Sequence, residues 1–120
     1  KIYAGSDMFL MPSFFEPCGL GQLIAMRYGT VPVVRRTGGL ADSVFDPSDN
    51  DKTPNGFVFE EYSAAALWET MNRAITAYQD KAFWKKLMRR GMSSDYSWQN
   101  SVHKYLDLYR KALLRKGGEA

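Results

Sequence analysis

The sequence predicts an α/β protein: part of a doubly wound parallel sheet followed by helices. Three short, continuously apolar runs are typical of strands buried on both faces of such a sheet. Beyond the third run, the apolar residues change to the 3.6-residue spacing of helices. The order of strand, helix, strand, turn, strand and three helices corresponds to half of a doubly wound domain. We therefore expect the 120 residues to form one partial domain, with further strands preceding Lys1.

The first half of the chain alternates helices and strands. Residues 2–5 are typical of the last turn of a helix that ends at a glycine. Residues 7–11 form the first apolar run, and residues 19–28 then carry apolar side chains at helical spacing. Residues 31–34 are the second predicted strand, with Pro32 near its start, where the missing N–H does least harm.

The second half contains one more strand and three helices. Residues 40–44 can form a single helical turn, and residues 46–56 are so dense in turn formers that they predict a surface loop. Residues 57–59 are the third strand. Ser63 and Ser97 are suited to begin the first and last of the helices that follow. Aromatic residues at helical spacing in this region are expected to pack in the core, with stacking on sugars as the alternative: Trp84, Tyr96, Trp98, Tyr105 and Tyr109.

The composition excludes several classes of protein. The 45% hydrophobic and 24% charged contents are those of an ordinary globular domain. No apolar run approaches the roughly 20 residues that span a bilayer, so we expect no membrane partner. The net charge of +3 comes with basic residues scattered over the last helices and no recognition motif, so nucleic-acid binding is not expected. The single cysteine, Cys18, excludes an internal disulfide and a zinc site of paired thiolates.

Glu16 is the acidic side chain best placed for chemistry. It follows the first buried strand, and Pro17 fixes the chain direction directly after it. In open α/β sheets ligands bind at the carboxyl ends of the strands, where this carboxylate could accept hydrogen bonds from neighbouring hydroxyl groups. The alternative is an ordinary solvent-facing acid in a loop.

Two glycine-containing turns follow the first two strands. In Cys18-Gly19-Leu20 the glycine permits close approach of a ligand, and the helix that begins there directs free N–H groups outward, as in phosphate sites. Thr37-Gly38-Gly39 repeats this arrangement after the second strand, with Arg35 and Arg36 beside it as cations that could offset diphosphate charge. Each feature has a structural alternative: a glycine tolerated in a turn, or an arginine paired at the surface.

Residues 12–23, PSFFEPCGLGQL, and residues 33–40, VVRRTGGL, together resemble the glycogen and starch synthases, glucosyltransferases of the two-domain GT-B architecture. The resemblance is strongest over residues 1–44 and recurs at residues 55–57 and 95–98. It implies that residues 1–120 are the C-terminal portion of a nucleotide-sugar-binding, Rossmann-like domain. Ile24 stands where the wider group has a second glutamate, which favours the synthases over sucrose- or trehalose-type transferases.

The resemblance also implies roles for the residues of both turns. Glu16 would be the catalytic residue that binds hydroxyls of the transferred glucose, and the backbone of Cys18, Gly19 and Leu20 would hold the diphosphate. Thr37, Gly38 and Gly39 would line the same pocket. The donor would be ADP-glucose or UDP-glucose and the acceptor the non-reducing end of an α-1,4-glucan, with retention of the α configuration and without a metal or other cofactor.

By the same resemblance, the missing N-terminal part of the enzyme would supply the remaining donor and acceptor groups, so the isolated segment should be inactive. The enzyme would lie in the cytoplasm of a bacterium or in the plastid stroma of a plant or alga. The alternative is a non-catalytic half-domain that binds a glucan or a partner. A longer parent chain with an upstream nucleotide-sugar domain favours the enzyme, whereas a reading frame that starts at Lys1 favours the module.

Overall fold

The structure is a computed structural model that describes residues 1–50 and 52–117. It contains one parallel sheet with the strand order β1-β2-β3, built from β1 (Met8–Met11), β2 (Val31–Arg35) and β3 (Phe57–Phe59). Helices lie between and after the strands: α1 (Ile2–Gly5), α2 (Gly21–Arg27), α3 (Gly38–Ser43), α4 (Ala64–Gln79), α5 (Lys81–Ser93) and α6 (Trp98–Gly117). The predicted α/β fold class is confirmed. Within the described residues, no helix is both long and apolar enough to span a membrane.

The register of the sheet brings the ends of β1 and β2 side by side. Met8 lies opposite Val31 and Met11 opposite Val34, in a parallel arrangement. Residues 31–34 of β2 are all buried, as their unbroken apolar run predicts. Because parallel strands end at the same edge of a sheet, the loops that follow β1 and β2 become neighbours.

The core covers both faces of the sheet. One cluster packs side chains of β2, β3, α4 and α5 together: Val31, Val33, Phe57, Ala74, Trp84 and Leu87. The other joins β2, β3, α3 and the chain that follows α3: Val34, Leu40, Val44 and Val58. Trp84 stacks on Phe57 with ring centroids 6.1 Å apart.

Helix α6 begins at Trp98, in agreement with the predicted start after Ser97, but the prediction that its aromatic residues are core is wrong. Trp98, Tyr105 and Tyr109 are 72%, 50% and 62% exposed. Of the five aromatic residues expected in the core, Trp84 alone is buried. The helical spacing predicted the element but not what packs against it.

Asp46 begins the loop predicted to lie on the surface, yet its side chain is buried. Its carboxylate accepts hydrogen bonds from Arg73 Nη1 and Nη2, at 2.9 and 3.1 Å, and from the backbone N–H of Val58 at 2.7 Å. The backbone N–H and hydroxyl of Ser48 also donate to it, at 3.0 and 2.8 Å. The surface prediction is therefore wrong for Asp46, because its main partner lies 27 residues further along the chain, on α4.

We predict that Asp46 stabilises the fold in a pH-dependent way. Burial alone would raise the pKa of its carboxyl, but Arg73 and the Ser48 and Val58 donors outweigh burial and hold the pKa below its ordinary value. The contribution is thus complete above an ordinary aspartate pKa of about 3.9 and is lost as the pH falls through the lower folded-state pKa.

Asp46→Asn should lower the free energy of unfolding at pH 7 by about 1.5 to 3 kcal/mol, the range for a hydrogen bond to a charged group. Urea unfolding followed by circular dichroism at pH 7 would measure this, and the difference from the wild type should shrink as the pH falls through the folded-state pKa of Asp46. Asp42→Asn, at an exposed carboxylate, is the matched control and should leave stability unchanged. Equal stability of the two variants at pH 7 would contradict the prediction.

Candidate functional site

The loop after β1, residues 12–20, meets the turn after β2, residues 36–39, at the carboxyl edge of the sheet. The backbone N–H of Gly39 donates to the carbonyl oxygens of Glu16 and Pro17, at 3.2 Å in each case. The two predicted site turns are therefore joined through their main chains.

The paired glycines allow this contact. A Cβ atom on Gly38 would collide with the carbonyl oxygen of Glu16, and a Cβ atom on Gly39 would collide with that of Cys18. Gly38 also has a φ of +44°, in the left-handed region that favours glycine. The sequence predicted that this pair permits a close approach, and the structure shows an approach between two segments of the same chain.

Glu16 and the turn that follows it carry polar groups for which the described part of the chain supplies no partners. The Glu16 carboxylate is half-buried and makes no hydrogen bond or ion pair with any described residue. Among the same residues, no acceptor is found for the backbone N–H groups of Cys18, Gly19 and Leu20. The two carboxylate oxygens of Glu16 and the three N–H donors of residues 18–20 thus lie within five residues of one another. This arrangement suits a ligand with both hydroxyl and phosphate groups.

In the turn formed by residues 18–20, the main chain rather than the side chains is suited to contact a ligand. The Cys18 thiol and the Leu20 side chain are exposed, and Leu20 is 69% accessible. Gly19 has a φ of +70°, so a side chain at this position would strain the turn. Thr37 is half-buried and directly precedes α3.

Arg35 and Arg36 are both engaged with groups of this chain. Arg35 donates to the carbonyl oxygen of Phe14 at 2.7 Å and lies over the rings of Phe14 and Tyr62. Arg36 pairs with Asp49 at 2.9 Å and with Glu60 at 2.5 Å. The arginines therefore fix the loops around the sheet edge, which is the structural alternative that the sequence left open.

Gln22 is a residue that the sequence analysis missed. It lies at the second position of α2, and its side chain is fully buried beneath the Gly19 turn. The signal that could have identified it is a polar residue among apolar neighbours on the buried side of a short helix, directly after a glycine turn.

Residues 1–90 match the profile of the family described as glycosyl transferases group 1. The chain belongs to this family. It is similar to the glycogen synthase of Geotalea uraniireducens, with 66% identity over 117 residues, which are 98% of this chain and 24% of that protein. This segment of a group 1 glycosyl transferase thus spans about a quarter of the length of the curated relatives it matches.

Two solved structures are also similar to this segment. The catalytic domain of starch synthase IV from Arabidopsis thaliana, bound to ADP and acarbose, matches it with a TM-score of 0.82 and 46% identity over 92% of this chain and 23% of that one. A sucrose-phosphate synthase from Thermosynechococcus elongatus matches with a TM-score of 0.64 and 25% identity, over 95% of this chain and 27% of that one. The resemblance to glycogen and starch synthases is confirmed.

We predict that the contact between the two turns of this glycosyl transferase segment does not tolerate a methyl group. Gly39→Ala should lower the free energy of unfolding by about 1 to 3 kcal/mol, because one of the two backbones must move. Gly5→Ala is the matched control: nothing lies within 4 Å of the added Cβ, so stability should not fall. Urea unfolding of both variants measures the difference, and a Gly39→Ala protein as stable as the control would show that the backbones do not touch.

Proposed function

We propose that this chain is the donor-binding segment of a retaining glucosyltransferase. The enzyme would transfer glucose from ADP-glucose, or UDP-glucose, to the non-reducing end of an α-1,4-glucan. The observation that carries the proposal is that residues 1–50 and 52–117 supply no partner for the Glu16 carboxylate or for the N–H groups of Cys18, Gly19 and Leu20 that follow it. The high identity to glycogen synthases supports the choice of reaction.

Each group has a role that its chemistry allows. The Glu16 carboxylate would accept hydrogen bonds from two hydroxyls of the transferred glucose and so hold the sugar at the sheet edge. The N–H groups of Cys18, Gly19 and Leu20 would bind the diphosphate. As the bond between glucose and phosphate breaks, negative charge grows on the departing diphosphate, and donors fixed in advance stabilise that charge.

The second turn would close the side of the pocket. Gly38 lies next to Glu16, and no acceptor is found for the Gly38 N–H among the described residues. The Gly39 N–H already donates to Glu16 and Pro17. Gly39 would therefore contribute by fixing the loop that carries Glu16, and by leaving space, rather than by donating to the ligand.

The remaining groups that bind the sugar donor and the glucan acceptor would come from the rest of the enzyme. Residues 1–120 would form the C-terminal portion of its Rossmann-like domain. ADP is the nucleotide in the similar starch synthase structure, which favours ADP-glucose as the donor here. The similar glycogen synthase of Geotalea uraniireducens is bacterial, which favours a bacterial cytoplasmic enzyme over a plastid one.

In the full-length protein, Glu16→Ala should lower glucan synthesis by about a hundredfold or more, because charged hydrogen bonds to the sugar are lost in the transition state. Glu61→Ala is the matched control, at an exposed glutamate outside the turn, and should keep full activity. The measurement is transfer of labelled glucose from ADP-glucose to glycogen. A Glu16→Ala enzyme within threefold of the wild type would remove Glu16 from the site.

Cys18→Ser should keep most of the activity of the full-length enzyme, because the proposed contact uses the backbone N–H, which serine retains. The thiol is exposed, and no described side chain hydrogen-bonds to it. Steady-state kinetics with ADP-glucose and glycogen provide the test, with circular dichroism to confirm folding. A thousandfold loss of turnover in a folded protein would show that the sulfur takes part in the reaction.

A further inference from the structure

The buried amide of Gln22 connects the two glycine turns. Its Nε2 donates to the carbonyl oxygen of Gly19 at 2.9 Å and lies 3.4 Å from that of Cys18. The same Nε2 donates to Ser43 Oγ at 3.2 Å, and Ser43 Oγ donates to the carbonyl oxygen of Gly39 at 2.7 Å. Gln22 therefore contacts the main chain of the first turn directly and is connected to that of the second turn through Ser43.

The amide of Gln22 also sets the direction of the Gly19 and Leu20 N–H groups, which have no acceptor within residues 1–50 and 52–117. The described peptide bonds are trans, so the C=O and N–H of each peptide unit point in opposite directions. The Gly19 carbonyl faces inward to Gln22, and the N–H of the same peptide unit, that of Leu20, must therefore point outward. The Cys18 carbonyl and the Gly19 N–H also belong to one trans peptide unit, so this N–H likewise points away from Gln22.

Ser43, at the end of this hydrogen-bond network away from the first turn, is fixed by other side chains. The carbonyl oxygen of Ser43 accepts hydrogen bonds from Asn55 Nδ2 at 2.9 Å and from the Tyr96 hydroxyl at 2.8 Å. Asn55 in turn accepts from the backbone N–H of Phe45 at 2.8 Å. Ser43 is thus held by hydrogen bonds to its carbonyl oxygen and to its hydroxyl, so the group to which Gln22 donates has a fixed position.

Stability alone does not account for a glutamine at this position. Gln22 Oε1 is buried and has no partner among the described residues. A buried amide with an unpaired oxygen stabilises a fold less than an apolar side chain of the same volume would. The presence of an amide here is therefore better explained by its orientation of the neighbouring peptide groups than by a contribution to the stability of the core.

We propose that Gln22 is a positioning residue of the glucosyltransferase reaction: it pulls the Cys18 and Gly19 carbonyls inward and so presets the Gly19 and Leu20 N–H groups for the donor diphosphate. This inference rests on the proposed function. It assigns to Gln22 no contact with the substrate.

The first test replaces the amide by an apolar chain of similar volume in the full-length protein. Gln22→Met should weaken ADP binding by about tenfold or more, since two charge-assisted hydrogen bonds lose their orientation. It should raise KM for ADP-glucose but not for glycogen. Binding of adenosine, which has no phosphates, should be unchanged. Isothermal titration calorimetry and steady-state kinetics measure these values.

Thr70→Val is the matched control, because Thr70 is also a buried polar residue with a side-chain hydrogen bond, which its hydroxyl accepts from Arg73 at 3.3 Å in a different part of the fold. Its ADP and adenosine affinities should both equal those of the wild type. A general loss of stability would affect both variants alike, whereas a positioning role affects ADP in the Gln22 variant alone.

The second test uses Gln22→Glu, which keeps the shape of the side chain. When ionised, the introduced carboxylate cannot donate to the Gly19 carbonyl, and when protonated its O–H can. Burial raises the pKa of such a group. The ADP affinity of this variant, divided by that of the wild type at the same pH, should therefore rise as the pH falls, and the same ratio for adenosine should stay constant.

The outcomes separate this inference from the proposed function. If the wild type binds neither ADP nor UDP, or if Glu16→Ala retains full activity, the proposed function fails and the inference fails with it. If the wild type binds ADP and Glu16→Ala is inactive, but folded Gln22→Met has wild-type ADP affinity, only the positioning role is overturned. An equal loss of ADP and adenosine affinity, or a Gln22→Glu ratio independent of pH, would also overturn it.

Discussion

The contact between two main chains at the carboxyl edge of the sheet determines the rest of the site. Parallel pairing of β1 and β2 brings their ends side by side, about 4.8 Å apart. The loops that follow approach each other so closely that a Cβ atom between them would collide with the opposite main chain. Gly38 and Gly39 occupy the positions of this contact, against the carbonyl oxygens of Glu16 and Cys18. The position of Glu16 is therefore a consequence of two residues that carry no side chain.

A second consequence concerns the direction of the peptide groups. Carbonyl oxygens of the first loop turn inward, where the Gly39 N–H and the Gln22 amide donate to them. The N–H groups of Gly19 and Leu20 in the same loop are thereby turned outward, where no described residue accepts from them. The candidate site is thus mostly main chain, which explains how an exposed thiol and an exposed leucine side chain can occupy its centre.

The sequence predicted the fold well because the decisive signals were local. The unbroken apolar run of β2 and a capping serine such as Ser63, whose hydroxyl accepts from the Ala66 N–H at 3.2 Å, need no distant partner to be recognised. What it missed depends on residues far apart in the chain. The pairing of Asp46 with Arg73 and the support of Gln22 by Ser43 join residues 27 and 21 positions apart. The exposed aromatics of α6 were missed for the same reason, since periodicity shows that a helix has an apolar face but not what covers it.

The strength of the proposed site depends on the exclusion of water. Unpartnered N–H groups at a protein surface hydrogen-bond to water, so in this state they cost little and attract an anion only weakly. The same groups stabilise charge strongly when the ligand fills the edge and the local dielectric falls. The described chain supplies the fixed donors and the carboxylate at one side of the sheet edge. In the proposed mechanism the rest of the enzyme would close over that edge, so that preset donors and dry surroundings act together on the departing diphosphate.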